Sequence, residues 1–543
     1  MPPRKRATGQ AELPGISSTK EIQDILWKAA DKLRGSMDAA QYKEFVLGLV
    51  FLKYVSDAFA ERRAELAADP ELAEIPAHRR EDFLEERDEY AEKNVFWVPP
   101  TARWDYIAEN AGSAAEGVGK LIDDAMNQVM KANKALTGVL PKIFNRDNVD
   151  QKRLKELVDL ISDARFTGHG DRPAQDVLGE VYEYFLERFA RAEGKRAGEF
   201  YTPASVVRLI VEVLEPYKGR VYDPCCGSGG MFVQAEKFVL QRQGRDHIHD
   251  LAIYGQESNE RTWRLAKMNL AIHGLDPKGI GDHWAFTNVD DKHPDLRADF
   301  VMANPPFNDN NWNPSPSDLK WRFGVPPKSS DNYAWLQHIV SKLGDRGSAG
   351  VVLSNGSMTS KLSGEGEIRA AMVDADLVAC MVALPGNLFR TTTIPACLWF
   401  MAKDKSPQGA KALQDRRNEV LFIDARAVGT MLDRTERVFT DADLEKISDV
   451  YHAWRGTRSA KEKHLSYEDV PGFCSTASLE EIAKNDYVLT PGTYVGTVKV
   501  EEDPDAEPVE KRLARLTDEL SGLFDESSRL DALVREQLAR INV

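Results

Sequence analysis

The sequence contains few cysteines and no long apolar run. Five cysteines in 543 residues cannot form a disulfide framework, and none of them stand at C-x-x-C spacing. These features exclude a disulfide-held secreted scaffold and predict a reducing, cytoplasmic setting. The best candidate for such a run, Phe45–Leu52, ends at Lys53, whereas a membrane-spanning helix needs roughly 18 residues. The basic segment Met1–Arg6 has no apolar stretch behind it, so no secretory signal is expected.

Positive charge is also in short supply. The 71 Lys and Arg residues are outnumbered by 86 Asp and Glu residues, and the net charge is -15 at pH 7. Because neutralisation of phosphates dominates DNA affinity, a protein that grips DNA alone usually carries a strongly basic domain. Any action on nucleic acid therefore needs a local basic patch or a partner. With 42% hydrophobic and 29% charged residues, the chain is expected to fold into several packed domains of about 150 residues each.

Helical periodicity dominates the first third of the chain. Residues 1–18 are polar and are predicted to form a disordered tail. Few period-two strands precede Asp171, so residues 19–165 are predicted to form a helical domain with amphipathic stripes as its core. Apolar residues follow helical spacing in 20–35, 42–50, 61–92, 117–134 and 150–162.

From Ala204 onward, short apolar runs alternate with helical segments. This alternation is typical of an α/β fold with a doubly wound parallel sheet, and we assign residues 166–500 to such a domain. The Asn-, Pro- and Ser-rich stretch Asn308–Ser330 is too long for a routine connection, which favours a functional loop. The strand-like runs are Arg220–Asp223, Leu251–Gly255, Asp299–Ala303, Gly350–Leu353, Leu377–Leu384 and Ala396–Met401.

Residues 501–543 form a third region. Glu501–Pro508 is acidic and contains proline, as expected for a linker. Beyond it, apolar residues alternate at spacings of four and three, interrupted by Ser527 and Gln537, which predicts a coiled-coil-like helix. Two interpretations stay open: a helix that packs against a partner, and a long helix docked on its own domain. The apolar positions are Val509, Leu513, Leu516, Leu520, Leu523, Leu530, Val534 and Ile541.

The strongest motif is D-P-C-C-G-S-G-G at Asp223–Gly230, where a predicted strand ends. A glycine-rich turn that opens a helix lets the backbone approach a nucleotide-like ligand closely. The motif is not the dinucleotide fingerprint, because the third glycine would fall at Phe232, and no lysine follows as in a Walker loop. A purely structural turn is the alternative interpretation.

Two acidic residues follow the motif along the chain. Glu257 ends the run Tyr254–Glu257 after the next predicted strand, where a carboxylate can accept hydrogen bonds from both ribose hydroxyls of a nucleoside. Asp282, directly after Gly281, could accept one from an adenine amino group. Together with the glycine turn, these acids predict a nucleoside cofactor without a pyrophosphate, and S-adenosylmethionine is the common one.

The second decisive motif is N-P-P-F at Asn304–Phe307, directly after a predicted strand. The two prolines fix φ and hold a rigid turn at the carboxyl edge of the sheet. There the Asn304 amide oxygen and the Pro305 carbonyl can both accept hydrogen bonds from one exocyclic amine. Phe307 can stack on an extracted base. The motif therefore predicts a site that turns an aromatic amine into a nucleophile.

The motifs and their order resemble a known family. G-E-F-Y-T-P at Gly198–Pro203, then Asp223–Gly230, then Asn304–Phe307 are similar to the gamma-class N6-adenine DNA methyltransferases. More narrowly, the chain resembles the modification subunits of type I restriction–modification systems, and the likeness covers nearly all of it, including Asp331–His338. One departure is Cys225, where a small residue such as Ala is frequent, although cysteine is itself small.

The resemblance implies a Rossmann-like methyltransferase domain that moves a methyl group from S-adenosylmethionine to N6 of an adenine flipped out of double-stranded DNA. It also implies a separate specificity subunit, bound through the C-terminal helix, a second modification subunit, and a restriction/translocase subunit in the full complex. The implied catalytic residues are Asn304, Pro305, Pro306 and Phe307. From the motifs and the resemblance together, the candidate cofactor-binding residues are Glu199, Phe200, Tyr201, Thr202, Pro203, Ala204, Asp223, Gly227, Ser228, Gly229, Gly230, Glu257 and Asp282.

Other interpretations stay open. An N-P-P-aromatic motif orients any planar amine, so methylation of a protein glutamine or of RNA is one alternative, and a catalytically silent scaffold is another. His247–Asp250 could hold a metal, but a surface loop is favoured and no metal is expected. The basic run Lys142–Lys155 is interpreted as a solvated face, with phosphate contact as the alternative. Cys225 and Cys226 are expected to be inert buried thiols.

Overall fold

The computed structural model describes residues 23, 27, 39–70, 72, 75–93, 95–113, 117–147, 149–163, 174–193, 202–309, 312, 315, 317–389, 395–407, 413–497 and 509–541. The predicted tail at 1–18, most of the predicted helix at 20–35, the candidate residues Glu199, Phe200 and Tyr201, and the predicted linker at 501–508 lie outside them. The chain divides into two units, residues 1–495 and 496–543. Within the described ranges, no helix combines the length and apolar character that crossing a membrane requires.

The first part of the chain is helical, as the sequence predicts. Its central helix α1, Ala39–Ala68, carries the run Phe45–Leu52, whose apolar side chains are no more than 1% exposed. Because that run is apolar on every face, α1 is stable only when its neighbours surround it. The other helices here are α2 (Ala77–Leu84), α3 (Arg87–Ala91), α4 (Trp104–Asn110), α5 (Val118–Ala132), α6 (Gln151–Asp163) and α7 (Ala174–Glu193), of which α7 was not predicted.

The second part of the first unit is an α/β domain. The strands are β1 (Gly219–Asp223), β2 (Leu251–Gly255), β3 (Ala298–Ala303), β4 (Leu343–Ser354), β5 (Val378–Ala383), β6 (Ala396–Ala402), β7 (Glu419–Asp424), β8 (Thr430–Met431), β9 (Arg437–Val438) and β10 (Cys474–Ser478). The helices are α8 (Ala204–Leu214), α9 (Gly230–Gln243), α10 (Glu260–Ile272), α11 (Asn332–Lys342), α12 (Glu365–Asp374), α13 (Asp441–Arg455), α14 (Arg458–Glu462) and α15 (Leu479–Lys484). An 8-stranded sheet has the order β10-β7-β5-β6-β4-β3-β1-β2, and β8 pairs with β9 separately.

The large sheet is mixed rather than wholly parallel. Strands β1 to β4 pair in parallel with one another, and β5 pairs in parallel with β7. However, β6 is antiparallel to both β4 and β5, and β10 is antiparallel to β7, so the predicted parallel sheet is wrong at these two strands. Parallel pairs need a long crossover, usually a helix, whereas no helix joins β5 to β6 in the described residues between them.

Three neighbouring parallel strands position the candidate site. β1 lies between β2 and β3, and Asp223 at its end stands opposite Gly255 at the end of β2. The glycine turn follows β1, Glu257 follows β2, and Asn304 is the residue after β3. Since parallel strands end at the same edge, the motifs meet where ligands bind in α/β sheets.

Apart from residues 496–497, the described part of the second unit is one helix, α16, Val509–Ile541. This confirms the helix that the heptad spacing predicts. Its apolar seam is well exposed, because Leu513, Leu516, Leu520, Leu523, Leu530 and Val534 have exposed fractions between 46% and 66%.

Candidate active site

The turn after β1 is held by its own backbone and by Asp223. This carboxyl group is 2% exposed, and its Oδ1 accepts a hydrogen bond from the Cys225 amide at 3.0 Å. Burial raises the pKa of Asp223 to about 7, against the opposing effect of the Cys225 amide. Gly227 and Gly229 have φ of 53° and 81°, a left-handed region that strains other residues. Glycine is therefore required at both positions for the chain to turn into α9.

Glu257 is bound to the glycine turn from the neighbouring strand. Its Oε2 accepts a hydrogen bond from the Gly227 amide at 3.0 Å. Its Oε1 accepts from the amides of Ser258 and Asn259, each at 2.8 Å. Asn259 in turn caps α10, because its side chain accepts from the first amides of that helix. These bonds hold the carboxylate in one orientation beside the turn.

Asn304 presents a buried acceptor at the end of β3. Its Nδ2 donates a hydrogen bond to Thr202 Oγ1 at 2.8 Å. Its Oδ1 is buried and has no hydrogen-bond partner among the residues that the structure describes. A buried acceptor left unpaired costs about 1–3 kcal/mol, so such atoms in folded proteins often mark a ligand site. Pro305 and Pro306 fix the turn that carries it.

The chain after the N-P-P-F motif is clamped to the start of α11. The Asn308 amide donates to Asn332 Oδ1 at 3.1 Å, and Asn308 Oδ1 accepts from Asn332 Nδ2 at 2.8 Å. The Asp309 amide donates to Asp331 Oδ1 at 3.0 Å, and Trp335 Nε1 donates to Asp331 Oδ2 at 2.6 Å. Burial raises the pKa of Asp331 to about 7. These hydrogen bonds fix the position of the N-P-P-F motif relative to α11.

One cavity of about 410 Å³ is lined both by the glycine turn after β1 and by Asn304 of the N-P-P-F motif. A Cβ added at Gly227 or Gly230 would meet no atom within 4 Å, so both glycines border open space. The Asn304 side chain and the glycine turn therefore face one common volume. The candidate residues that line it are Thr202, Ala204, Asp223, Gly227, Ser228, Gly230 and Asn304.

Other candidate residues lie around this cavity rather than on its lining. Pro203 precedes α8, and Gly229 precedes α9. Glu257 supports the glycine turn, as described above. Phe307 packs edge-on against Phe389, with ring centroids 6.4 Å apart and an interplanar angle of 72°. Asp282 is exposed, and the structure does not bring it into this cavity.

Two contributors to the cavity were missed by the sequence reasoning. Asn269 on α10 is 1% exposed, its Nδ2 donates to the Ser228 carbonyl at 2.9 Å, and its Oδ1 is buried with no partner in the described residues. The sequence signal that could have identified Asn269 is a polar residue within an apolar stretch of predicted helix. Helix α7 contributes Glu180, Glu183 and Glu187 to the cavity lining. Their place there depends on how α7 packs against the α/β domain, which no local sequence pattern reveals.

Two protein families match the chain. The family described as N-6 DNA Methylase matches residues 173–503, and the HsdM N-terminal domain matches residues 22–162. The chain belongs to the N-6 DNA methylase family. It is the modification methylase subunit of a type I restriction–modification system, and its reaction is methylation of adenine N6 in DNA.

Curated relatives and a solved structure agree with this assignment. The chain is 46% identical over 459 residues to the type I restriction enzyme HindI methylase subunit of Haemophilus influenzae, covering 81% of this chain and 99% of the relative. It is 39% identical over 537 residues to the MjaIX methylase subunit of Methanocaldococcus jannaschii, covering 96% and 91%. The type I methyltransferase subunit from Streptococcus thermophilus has a TM-score of 0.72 at 26% identity, covering 89% of this chain and 100% of that one.

Family membership decides between the open interpretations of the motifs. It favours DNA over a protein glutamine or RNA as substrate, and an active methylase over a silent scaffold. The family also implies S-adenosylmethionine as the methyl donor.

Burial raises the pKa of the Cys225 and Cys226 thiols, which agrees with inert side chains. His247 Nδ1 contacts the Asp250 carboxylate at 2.9 Å, and the described residues hold no cluster of three or more potential metal ligands.

Proposed function

We propose that Asn304 Oδ1 and the Pro305 carbonyl oxygen accept the two hydrogens of the N6 amine of an adenine rotated out of duplex DNA. The supporting observation is the buried Asn304 Oδ1, which lacks a partner in the described residues and lines the same cavity as the glycine turn. Adenine N6 is a poor nucleophile, because its lone pair is delocalised into the ring. Two acceptors favour a pyramidal nitrogen whose lone pair can attack, and they stabilise the positive charge that develops there.

The cavity fits S-adenosylmethionine. Its volume of about 410 Å³ falls in the range of roughly 300–1,000 Å³ that ligand pockets occupy, and Asn269 Oδ1 offers it a buried acceptor. When bound, this donor supplies a methyl group already activated on a sulfonium. In this proposal the nucleoside part of the donor extends beyond the cavity lining, where Glu257 accepts hydrogen bonds from its ribose and the exposed Asp282 accepts one from its adenine. The other residues proposed to hold it are Glu199, Phe200, Tyr201, Thr202, Pro203, Ala204, Asp223, Gly227, Ser228, Gly229 and Gly230.

Phe307 provides the stacking surface for the extruded adenine. Stacking of a base on an aromatic ring contributes about 1–3 kcal/mol. That gain offsets part of the few kcal/mol that extrusion from the duplex costs. Phe307 is held by its edge-on contact with Phe389 and by the clamp that follows it at Asn308. In this proposal, Pro306 keeps the ring in line with the amine-binding oxygen atoms.

The methylase acts inside a larger cytoplasmic complex. A specificity subunit selects the DNA sequence and binds the exposed apolar seam of α16. The acidic net charge of this chain disfavours DNA binding, so the partner strengthens the grip on the duplex. A second modification subunit shares the specificity subunit, and a restriction/translocase subunit joins for cleavage. The five cysteines, all free, accord with a reducing compartment.

The test is transfer of tritiated methyl groups by the full chain co-purified with its specificity subunit. Duplex DNA, RNA and protein are offered in parallel, and labelled products are digested and separated. We expect label only in DNA, recovered as N6-methyl-2′-deoxyadenosine, and labelling at least about 100-fold slower with Asn304→Ala. Label in RNA or protein, or on another base, would refute the proposal.

A further inference from the structure

A second cavity, of about 650 Å³, lies between the helical part of the chain and α10. Its charged lining is wholly basic. The charged residues that line it are Lys131, Lys134, Lys142, Arg146 and Arg264, and no Asp or Glu residue lines it in the described chain. In a protein whose net charge is -15, this concentration of positive charge creates a local field opposite to that of the whole molecule.

Three of these cations have no counterion among the residues that the structure describes. Within the described residues, no carboxylate oxygen lies within 4.0 Å of the charged nitrogen of Lys131, Lys134 or Lys142. All three are exposed, and so is Arg146. By contrast, Lys120 and Lys155 each pair at 2.6 Å with an Asp one helical turn away. Like charges gathered without partners repel one another, and a polyanion relieves that repulsion.

The backbone that carries Lys142 and Arg146 is rigidly held. Asp123 on α5 accepts hydrogen bonds from two successive amides of this segment, at 3.1 and 3.0 Å. The first of these amides belongs to Phe144, which is 0% exposed, and Gln151 Nε2 donates to the Phe144 carbonyl at 3.2 Å. The backbone that carries these two charges is therefore ordered before a ligand arrives, which reduces the entropy that binding costs.

Arg264 connects this cavity to the catalytic domain. It lies on α10, the helix that begins shortly after Glu257. Its Nη1 donates to Glu44 on α1 at 3.1 Å, and its Nη2 donates to Glu260 at 2.5 Å. The cavity thus reaches from the N-terminal helices to an element that borders the cofactor cavity through Asn269.

We propose that the basic cavity binds phosphates of the DNA backbone, so that the methylase grips the duplex itself as well as through its partner. This inference rests on the proposed function, because it takes DNA as the substrate. With a volume of about 650 Å³ and exposed cations on its lining, the cavity has room for more than one phosphate group. The proposal also divides the basic run Lys142–Lys155: Lys142 and Arg146 line the cavity, whereas Lys152 and Arg153 do not.

The test compares two double charge reversals in the full chain bound to its specificity subunit. Lys142→Glu with Arg146→Glu changes the cavity, and Lys152→Glu with Arg153→Glu makes the same change of charge outside it. Affinity for a short DNA duplex is measured by fluorescence anisotropy at increasing salt. We expect the cavity variant to lose affinity at least about tenfold and to lower the salt slope by about 2, because each lost phosphate contact removes about 0.9 from the slope. The outer variant should bind like wild type.

Three outcomes would overturn the proposal. An equal loss in both variants would indicate a general charge effect. Unchanged DNA affinity with weaker assembly on gel filtration would assign the cavity to an acidic protein surface. Displacement of DNA by inorganic phosphate at equal phosphate concentration would assign it to a free anion. Transfer of methyl groups by the wild type is recorded in parallel, so a failure of the proposed function is seen separately from a failure of this site.

Discussion

The side-chain nitrogen of Asn304 donates a hydrogen bond to Thr202 Oγ1 at 2.8 Å, although 102 positions separate the two residues. This bond fixes which end of the amide is left for a ligand. With the nitrogen occupied, the oxygen is presented to the cavity as an acceptor. If the amide were rotated by half a turn, its NH₂ group would face the N–H groups of the adenine amine, and no hydrogen bond could form between them. The contact between Thr202 and Asn304 therefore determines that the side chain presents an acceptor, rather than a donor, to the ligand.

Replacement of the Thr202 hydroxyl tests that orienting role. In Thr202→Val, we expect kcat for methyl transfer to fall about tenfold, because a hydrogen bond of about 1–1.5 kcal/mol no longer orients the amide. Thr202→Ser keeps the hydroxyl and should restore most of the rate. The measurement is steady-state transfer at saturating donor and DNA. An unchanged kcat in the valine variant, or an equal loss in both variants, would contradict the orienting role.

A methyl group added at Gly230 tests whether the first cavity is the donor site. Gly230 begins α9, and an added Cβ meets open space, so the fold should accept alanine. We expect Gly230→Ala to weaken donor binding about tenfold, equivalent to about 1.4 kcal/mol, without lowering Tm. Gly522→Ala on α16, where a Cβ also meets nothing within 4 Å, is the matched control. Calorimetric titration with S-adenosylmethionine measures both, and wild-type affinity in Gly230→Ala would place the donor elsewhere.

The buried Asp331 predicts a pH dependence of stability. Its pKa rises from 3.8 to about 7 on folding, so the folded chain binds more protons than the unfolded chain between these pH values. Stability from this group is complete below about pH 4 and is lost as pH rises through about 7. In Asp331→Asn, we therefore expect a smaller fall in the urea midpoint from acidic to neutral pH than in wild type. The exposed Asp345→Asn is the control, and equal pH profiles in all three proteins would refute the prediction.

The exposed seam of α16 predicts which surface binds the partner. Leu520 is 52% exposed, and a charge there should disrupt apolar packing against the specificity subunit. We expect Leu520→Glu to reduce complex formation on gel filtration while donor affinity stays unchanged. Gly522→Glu adds the same charge two residues further on, about opposite the seam, and should assemble normally. Normal assembly of Leu520→Glu would show that the seam is not the interface.

Several features of fold and site could be predicted from the sequence because they are local. The strand Leu251–Gly255 has the predicted bounds, and the helix over Val509–Ile541 follows its heptads. Gly227 and Gly229 stand where the backbone adopts positive φ, as a turn into a helix requires. The proline pair after Asn304 marked the turn at the sheet edge for a similarly local reason.

Other features depend on contacts between distant residues, which no local pattern contains. The antiparallel direction of β6 depends on how its connection crosses the sheet rather than on its apolar residues. The bond between Thr202 and Asn304 joins segments far apart in the chain. The basic cavity needs Arg264 beside Lys142, so the charges along the sequence alone were interpreted as a solvated face.

Single-turnover methyl transfer by Asn304→Ala, measured beside its affinity for S-adenosylmethionine, tests the central claim most directly. Loss of the acceptor oxygen should lower the transfer rate by about 10²–10³-fold, as removal of one preorganised hydrogen-bonding group does in other enzymes, while the donor still binds. Asn304→Asp keeps an acceptor oxygen and should retain part of the rate. A near-wild-type rate in Asn304→Ala, with donor bound and the chain folded, would contradict the account.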